Sequence, residues 1–298
     1  LTYSIVARDE KTGEMGVAVQ SHYFSVGSVV TWARAGVGAV ATQAMVEPKY
    51  GPLGLELMAA GKTAVEALNA LLSVDTKADV RQVAMVDSRG NVAAHTGSRC
   101  IPYAGHVTGK GVSCQGNIMR NGSVWGEMLG SYKRNGSLPL PERLVEALEA
   151  AERAGGDARG KQSAAILVVS PERSSSYWDG RLLELRVEDS AEPVKELKRL
   201  LRYWRGYEWV SKGDDLLTSG KYDEASDAYE KGLNLVPEVL ELKYWVGLSL
   251  LNTRQRARGL QMLKEVFKLE RDWVPITRRI IKARSLRIDP QSVRKLLT

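Results

Sequence analysis

The stretch LTYSIVARDEKTGEMGVAVQSH, residues 1–22, decides the fold and raises the functional question. Apolar and polar residues alternate through TYSIVARD, DEKTG offers a turn in which Gly13 can take a positive φ, and EMGVAVQS runs back. The chain therefore begins with a β-hairpin. Thr2 stands at the head of its first strand, behind a Leu1 that is not the usual initiator. A threonine hydroxyl is a weak nucleophile until a base removes its proton. A free α-amine on the same residue is such a base, with a reference pKa of about 7.7 to 8.0. Leu1 reads as a UUG start, decoded as Met and then removed, so that Thr2 becomes the first residue of a strand that fixes its orientation. The plain alternative is an ordinary strand threonine, since Thr favours strands in any case.

Outward from the hairpin, strands and helices alternate in pairs. VGSVVTWARA and VGAVATQA read as two strands separated by Gly36. LGLELMAAG and TAVEALNALL then space Leu and Met at helical intervals, with Gly61 as a stop and Thr63 as an N-cap. RQVAMVDSRGNVAAHTG is a hairpin about Ser88 to Asn91, and HVTGKGVSCQGN is another strand pair. SVWGEMLGSYKRN and ERLVEALEAAERAGG are helices, the second ended by Gly155 and Gly156. SAAILVVS is apolar without interruption, as in a strand buried on both faces, with RLLELRVED as its partner and PVKELKRLLRYW as a closing helix. Antiparallel sheets with helix pairs on their outer faces make an α+β fold, for which a four-layer αββα sandwich is one stacking.

Near RYWRGYEW, residues 202–209, the composition shifts and everything beyond reads helical, so two domains are expected, 1–204 and 205–298. In GDDLLTSGKYDEASDAYEKGLNLVPE the small residues Gly213, Gly220, Ala225 and Gly232 alternate with Tyr222 and Tyr229 and end at Pro237, the spacing of a tetratricopeptide repeat. A second unit is degenerate. Gly247 falls 34 positions after Gly213, but Arg254 and Gly259 stand where Gly and Ala belong. PITRRIIKARSL is expected to cap the stack. So short an array implies docking on the first domain or on another copy of the chain, hence a homo-oligomer, or on a protein or peptide partner.

The net charge of +7 is C-terminal: from Arg254 onward 13 Lys or Arg face 4 Asp or Glu. With no aromatic or glycine-rich RNA signature, this bias reads as a solvated helix face, and nucleic acid is not the expected partner. Cys100 and Cys114 form no framework and point to a reducing, cytoplasmic setting. Three histidines without CxxC or HExxH leave no metal site of familiar spacing, and no cofactor is expected. No apolar run approaches the length of a membrane span.

The first hairpin with VGSVVTWARAGVGAVATQA, and then RCIPYAGHVTGKGVSCQGNIM, GGDARGKQSAAILVV and LRVED followed by PVKELKRLL, resembles the domain of unknown function family 1028 over residues 1 to about 200. That family is similar in fold to the N-terminal nucleophile (Ntn) hydrolases, which cut amide bonds with a terminal Thr, Ser or Cys. The resemblance implies the αββα sandwich and makes Thr2 the candidate nucleophile; it supplies no substrate, and a small amide or amino-acid derivative is the expectation for a threonine amidohydrolase. Asn117, ending a strand behind Gly116, is the candidate oxyanion donor, or else a turn residue. His22 follows the second strand and is a candidate site residue or a loop histidine. Asp157, Arg159 and Gln162 in GGDARGKQS bind a polar substrate or orient the amine, or pair with each other to hold a loop. Asp189 in LRVED and Glu47 after TQAMV are further polar candidates, with Ser190 standing where the family pattern expects His. His95 and His106 are read as strand residues with satisfied hydrogen bonds. The competing reading is a non-catalytic assembly protein that holds a partner with its helices.

Overall fold

The computed structural model describes residues 2–176, 178–251, 253–283 and 293. The chain divides into two compact units, Leu1–Leu201 and Arg202–Thr298. In the first, β1 (Thr2–Arg8) and β2 (Met15–Ser21) pair antiparallel, from Thr2 opposite Ser21 to Arg8 opposite Met15. The turn works as its sequence suggests: Gly13 has φ 76°, and the Asp9 carboxylate accepts from the backbone N–H of Lys11 at 2.8 Å and Thr12 at 3.0 Å.

The remaining strands are β3 (Thr31–Arg34), β4 (Gly38–Ala44), β5 (Arg81–Asp87), β6 (Val92–Thr96), β7 (Gly105–Gly109), β8 (Val112–Asn117), β9 (Ser163–Val169) and β10 (Arg181–Val187). They form a six-stranded sheet, ordered β10-β9-β2-β1-β8-β7, and a four-stranded sheet, ordered β3-β4-β5-β6. Neighbouring strands are antiparallel throughout. Thus β1, the first strand in the chain, lies inside the larger sheet between β2 and β8.

Helices α1 (Tyr50–Ala59) and α2 (Ala64–Val74) lie against the smaller sheet, and α3 (Val124–Arg134) and α4 (Leu140–Arg153) against the larger. Thr63 caps α2 in a full capping box with Glu66. Arg143 on α4 donates to Asp9 at 2.8 Å, which ties the helix to the first hairpin turn. The two sheets face each other across Val6, Met15, Val17, Val19, Ala39, Ala41, Ala84 and Val86, all buried. The fold is therefore α+β, built on antiparallel sheets, with a helical C-terminal region.

One detail departs from the sequence reading. VGSVVTWARA is not one strand: a 3-10 turn takes Val26–Ser28 and only Thr31–Arg34 pairs. The turn lies tight on β9, where a Cβ on Gly27 would stand 2.5 Å from that of Ala165. The expected boundary at 204/205 lies three residues from the division at 201/202, and both fall inside one helix, α5 (Pro193–Thr218). Gly206 and Gly213 both lie within it, and at each a neighbour leaves no room for a side chain, Val236 at the first and Tyr229 at the second.

The second unit continues with α6 (Tyr222–Leu235), α7 (Leu240–Leu250), α8 (Arg256–Leu269) and α9 (Trp273–Ala283). Val210, Tyr229, Val236, Leu242, Val246 and Met262 fill one cluster, and Tyr244, Leu263, Val266 and Phe267 a second. Of the expected capping stretch PITRRIIKARSL, residues 284–286 lie outside the described residues, as do four of the basic residues of the C-terminal stretch.

Candidate active site

The space between the sheets changes character along its length. Inward positions on β1 read Val6, Ser4, Thr2; on β8, Gln115 and Asn117 lie opposite Ser4 and Thr2. On the facing sheet Ala39 and Ala41 give way to Gln43, and Val86 and Ala84 to Gln82. At one end, then, apolar packing is replaced by hydroxyls and amides, every one of them buried.

Hydrogen bonds link these groups to one another, as burial of polar atoms requires. Gln115 Nε2 donates to Ser4 Oγ at 2.7 Å, and Ser4 Oγ donates to Gln43 Oε1 at 2.7 Å. Gln43 Nε2 donates to Gln82 Oε1 at 2.7 Å, and Asn117 Nδ2 reaches the same oxygen at 2.8 Å. Gln82 Nε2 in turn donates to the Gly116 carbonyl at 2.8 Å. The head of β1 is held by this set: the Thr2 carbonyl accepts from Gln43 at 3.4 Å and from Asn117 at 3.5 Å. Thr2 itself is only 5% exposed, and its Oγ1 lies 3.1 Å from Ser21 Oγ.

One residue past Ser21, the His22 N–H donates to Asp157 Oδ2 at 3.2 Å. Arg159 grips the same carboxylate through Nε at 3.1 Å and NH2 at 2.8 Å. Burial works to raise the Asp157 carboxyl, but the hydrogen bonds from Arg159 and from its backbone N–H outweigh it and hold the group below the usual carboxylate range. Gln162 joins through its backbone, its N–H donating to the Ser21 carbonyl at 3.2 Å. Behind the sheet, under α4, Tyr3 and Gln20 are opposite in register and fully buried. The Tyr3 phenol is pushed well up by burial and then by the nearby charges of Glu152 and Asp157.

Backbone strain concentrates at the same end. Among the described residues three non-glycine positions have positive φ: Ser25 at 55°, Ala44 at 69° and Ile118 at 54°. They follow or end β2, β4 and β8, the strands whose Ser21, Gln43 and Asn117 surround Thr2. For a β-branched residue such as Ile118 this conformation is a genuine outlier, and strain of this kind gathers where the surrounding structure has a function to hold.

The family of unknown function DUF1028 matches residues 2–197. This chain belongs to that family. A crystal structure of a DUF1028 protein from Silicibacter pomeroyi is similar to it with a TM-score of 0.61 and 32% identity, covering 68% of this chain and 88% of that one. No curated protein matches the chain.

Within this DUF1028 domain the structure brings together Thr2, Asn117, His22, Asp157, Arg159 and the backbone of Gln162. Glu47 stands apart: it lines a cavity of about 220 Å³ with Lys49, Tyr50, Leu53 and Asp75. Asp189 lies exposed beyond β10, joined to the group only through its neighbour, since the Ser190 N–H donates to the Gln162 carbonyl at 2.7 Å. His95 and His106 have partners, the Ala78 carbonyl at 2.8 Å and Thr96 Oγ1 at 2.8 Å. Ser4, Ser21, Gln43, Gln82 and Gln115 escaped the sequence reading. Their signal was a glutamine near the end of each of four strands, Gln20, Gln43, Gln82 and Gln115. Among the described residues no His, Cys, Asp and Glu gather as a metal site, and no helix is long and apolar enough to cross a membrane.

Proposed function

We propose that the domain is an N-terminal-nucleophile threonine amidohydrolase and that its facing sheets with outer helix pairs are the αββα sandwich of that class. The observation that carries this reading is the place of Thr2: head of an interior strand, hydroxyl to hydroxyl with Ser21 at 3.1 Å, at the polar end of the space between the sheets. Cutting the bond before Thr2 bares its amine. That amine takes the Oγ1 proton, the oxygen attacks the substrate carbonyl, and the proton passes to the departing amine as the acyl-enzyme forms. Water, deprotonated by the same amine, then releases the acid. Asn117 Nδ2, already directed at the head of β1, is the proposed donor to the oxyanion. Asp157, fixed by Arg159 and anionic at neutral pH, orients the amine.

Intact-mass measurement on protein expressed from its own start, followed by an electrophilic amide probe, tests the reading. Thr2 as the first residue and a single adduct on it are expected. Full retention of the preceding residue removes the mechanism.

A second reading has its own support. In the helical unit Gly247 and Gly259 face each other, so that a Cβ on Gly259 would lie 2.6 Å from the Gly247 carbonyl. Such a close approach supports the tetratricopeptide reading of these helices. A cavity of about 340 Å³ lined by Lys221, Tyr222, Glu224, Arg254 and Gln255 would take a charged peptide. An uncleaved chain that binds peptide there, with binding lost on Tyr222→Ala, favours an assembly role.

A further inference from the structure

The hydrolase reading leaves the substrate open, and the surface around Thr2 narrows it. Five large apolar side chains at this end, Tyr23, Phe24, Met45, Ile101 and Tyr103, are each more than half exposed. They belong to three segments far apart in sequence: two leave strand ends beside Thr2, and the third, between β6 and β7, bonds to the residues that follow such an end. Tyr23 and Phe24 follow β2, whose Ser21 is the ladder partner of Thr2. Met45 follows Gln43, which donates to the Thr2 carbonyl. The carbonyls of Ile101 and Tyr103 accept from the N–H groups of Ile118 and Met119, both at 3.0 Å, immediately after Asn117, the other ladder partner of Thr2.

The opposite ends of the same strands look different. The hairpin turns at Asp9–Glu14, Asp87–Asn91 and Gly109–Gly111 expose no large hydrophobic side chain; the exposed apolar residues at that end, Trp178 and Leu182 about the β9–β10 connection among them, lie outside these turns. Exposed apolar groups that gather from separate loops around one polar site mark a ligand-binding surface. The site offers hydroxyls and amides suited to a scissile amide, and the segments beside it carry the exposed apolar side chains, an apolar collar in sequence and hydrogen-bond connection.

We propose that the amide cleaved here carries a bulky apolar, preferably aromatic, group on one side of the scissile bond, seated against this collar while the carbonyl enters toward Thr2. The inference rests on the hydrolase reading for the location of the bond. The occupant is a small molecule because the polar site at the collar's centre recognises an amide and a flat apolar patch alone does not. Selectivity for such a group follows from its removal from water against Phe24, Tyr23 and Tyr103.

The test is calorimetric binding of N-benzoylglycinamide and N-acetylglycinamide to the Thr2→Ala protein, with loss of the preceding residue verified by mass. We expect the benzoyl compound to bind at least about tenfold more tightly. Phe24→Ser and Tyr103→Ser should each bring the two ligands toward parity, while Phe24→Leu keeps most of the preference. Equal binding, binding of neither, or a preference that survives both serine variants overturns the inference. So does self-association of the parent chain that both serine variants abolish, which assigns the collar to a second copy. A small acetyl-type electrophile that labels Thr2 in the parent protein keeps the hydrolase reading alive in each of those cases. Selective binding of the benzoyl compound without any labelling of Thr2 supports the collar and rejects the nucleophile.

Discussion

The two ends of the space between the sheets are made by the same strands and do opposite things. Away from Thr2, Met15, Val17, Val86 and their neighbours interlock without a polar atom, and the Asp9–Arg143 pair at 2.8 Å pins the hairpin turn to α4. Toward Thr2, the same strands bury Ser4, Gln43, Gln82, Gln115 and Asn117, strain three backbone positions and expose a collar of aromatic and apolar residues. Each of those choices works against stability. A sheet pair can tolerate them at one end because the other end is packed densely enough to hold the register, so that rigidity made at a distance becomes preorganisation at the site.

Breaking each end in turn separates the two jobs. The largest expected effect is on chemistry: Thr2→Ala should abolish turnover of any amide the protein cleaves, a loss above about a thousandfold, while circular dichroism and melting stay close to the parent. Next, Met15→Ala at the apolar end should cost about 2–5 kcal/mol in denaturant unfolding, from lost transfer energy and the cavity left behind, without changing the labelling of Thr2 in the protein that remains folded. Gln82→Ala comes third. It strands the Asn117 and Gln43 amides in a buried space, so about 1–3 kcal/mol of stability should go. Unlike Met15→Ala, it should also slow acylation of Thr2, read as a fall in the rate of probe labelling. If both variants slow labelling equally, the ends are not separable and the comparison fails.

The smallest effect sharpens the comparison through pH. Asp9 and Asp157 are each buried beside an arginine, and in both the hydrogen bonds received outweigh the cost of burial and lower the native pKa. A depressed native value means that the contribution is complete above the unfolded pKa of about 3.9 and is lost as pH falls toward the native value. Asp9→Asn and Asp157→Asn should therefore each remove about 1–2 kcal/mol at neutral pH and little in acid, as followed by urea unfolding at several pH values. Only Asp157→Asn should alter the pH profile of labelling at Thr2, because only that carboxylate adjoins the head of β1.

Much of this was readable in advance, for local reasons. The first hairpin, the Thr63 N-cap and the doubly buried β9 follow from Gly13, from a Thr set just ahead of a helical spacing and from an uninterrupted apolar run. The polar end was hidden by the same alternation rule. In AVATQA and RQVAMV a glutamine in a period-two pattern reads as a solvent-facing residue, and nothing local says that a second sheet covers it. The 3-10 turn at Val26–Ser28 lies tight on β9, and the need for glycine at 206 and 213 in α5 comes from Val236 and Tyr229, residues further along the chain. Thr2, His22 and Asp157 could be suspected singly. Their meeting depends on register, Thr2 opposite Ser21, which no stretch of sequence states.

The two cysteines, free and buried, offer a use that needs no engineering. Cys114 sits in the middle of β8 with its thiol raised far above the ordinary range by burial, so alkylating reagents reach it only when the larger sheet opens. Cys100 lies in the loop that carries Ile101, its thiol raised less and donating to the Arg81 carbonyl at 3.3 Å. Rates of modification at the two thiols would thus act as paired clocks, one for global unfolding and one for fraying of the collar, within a single native chain.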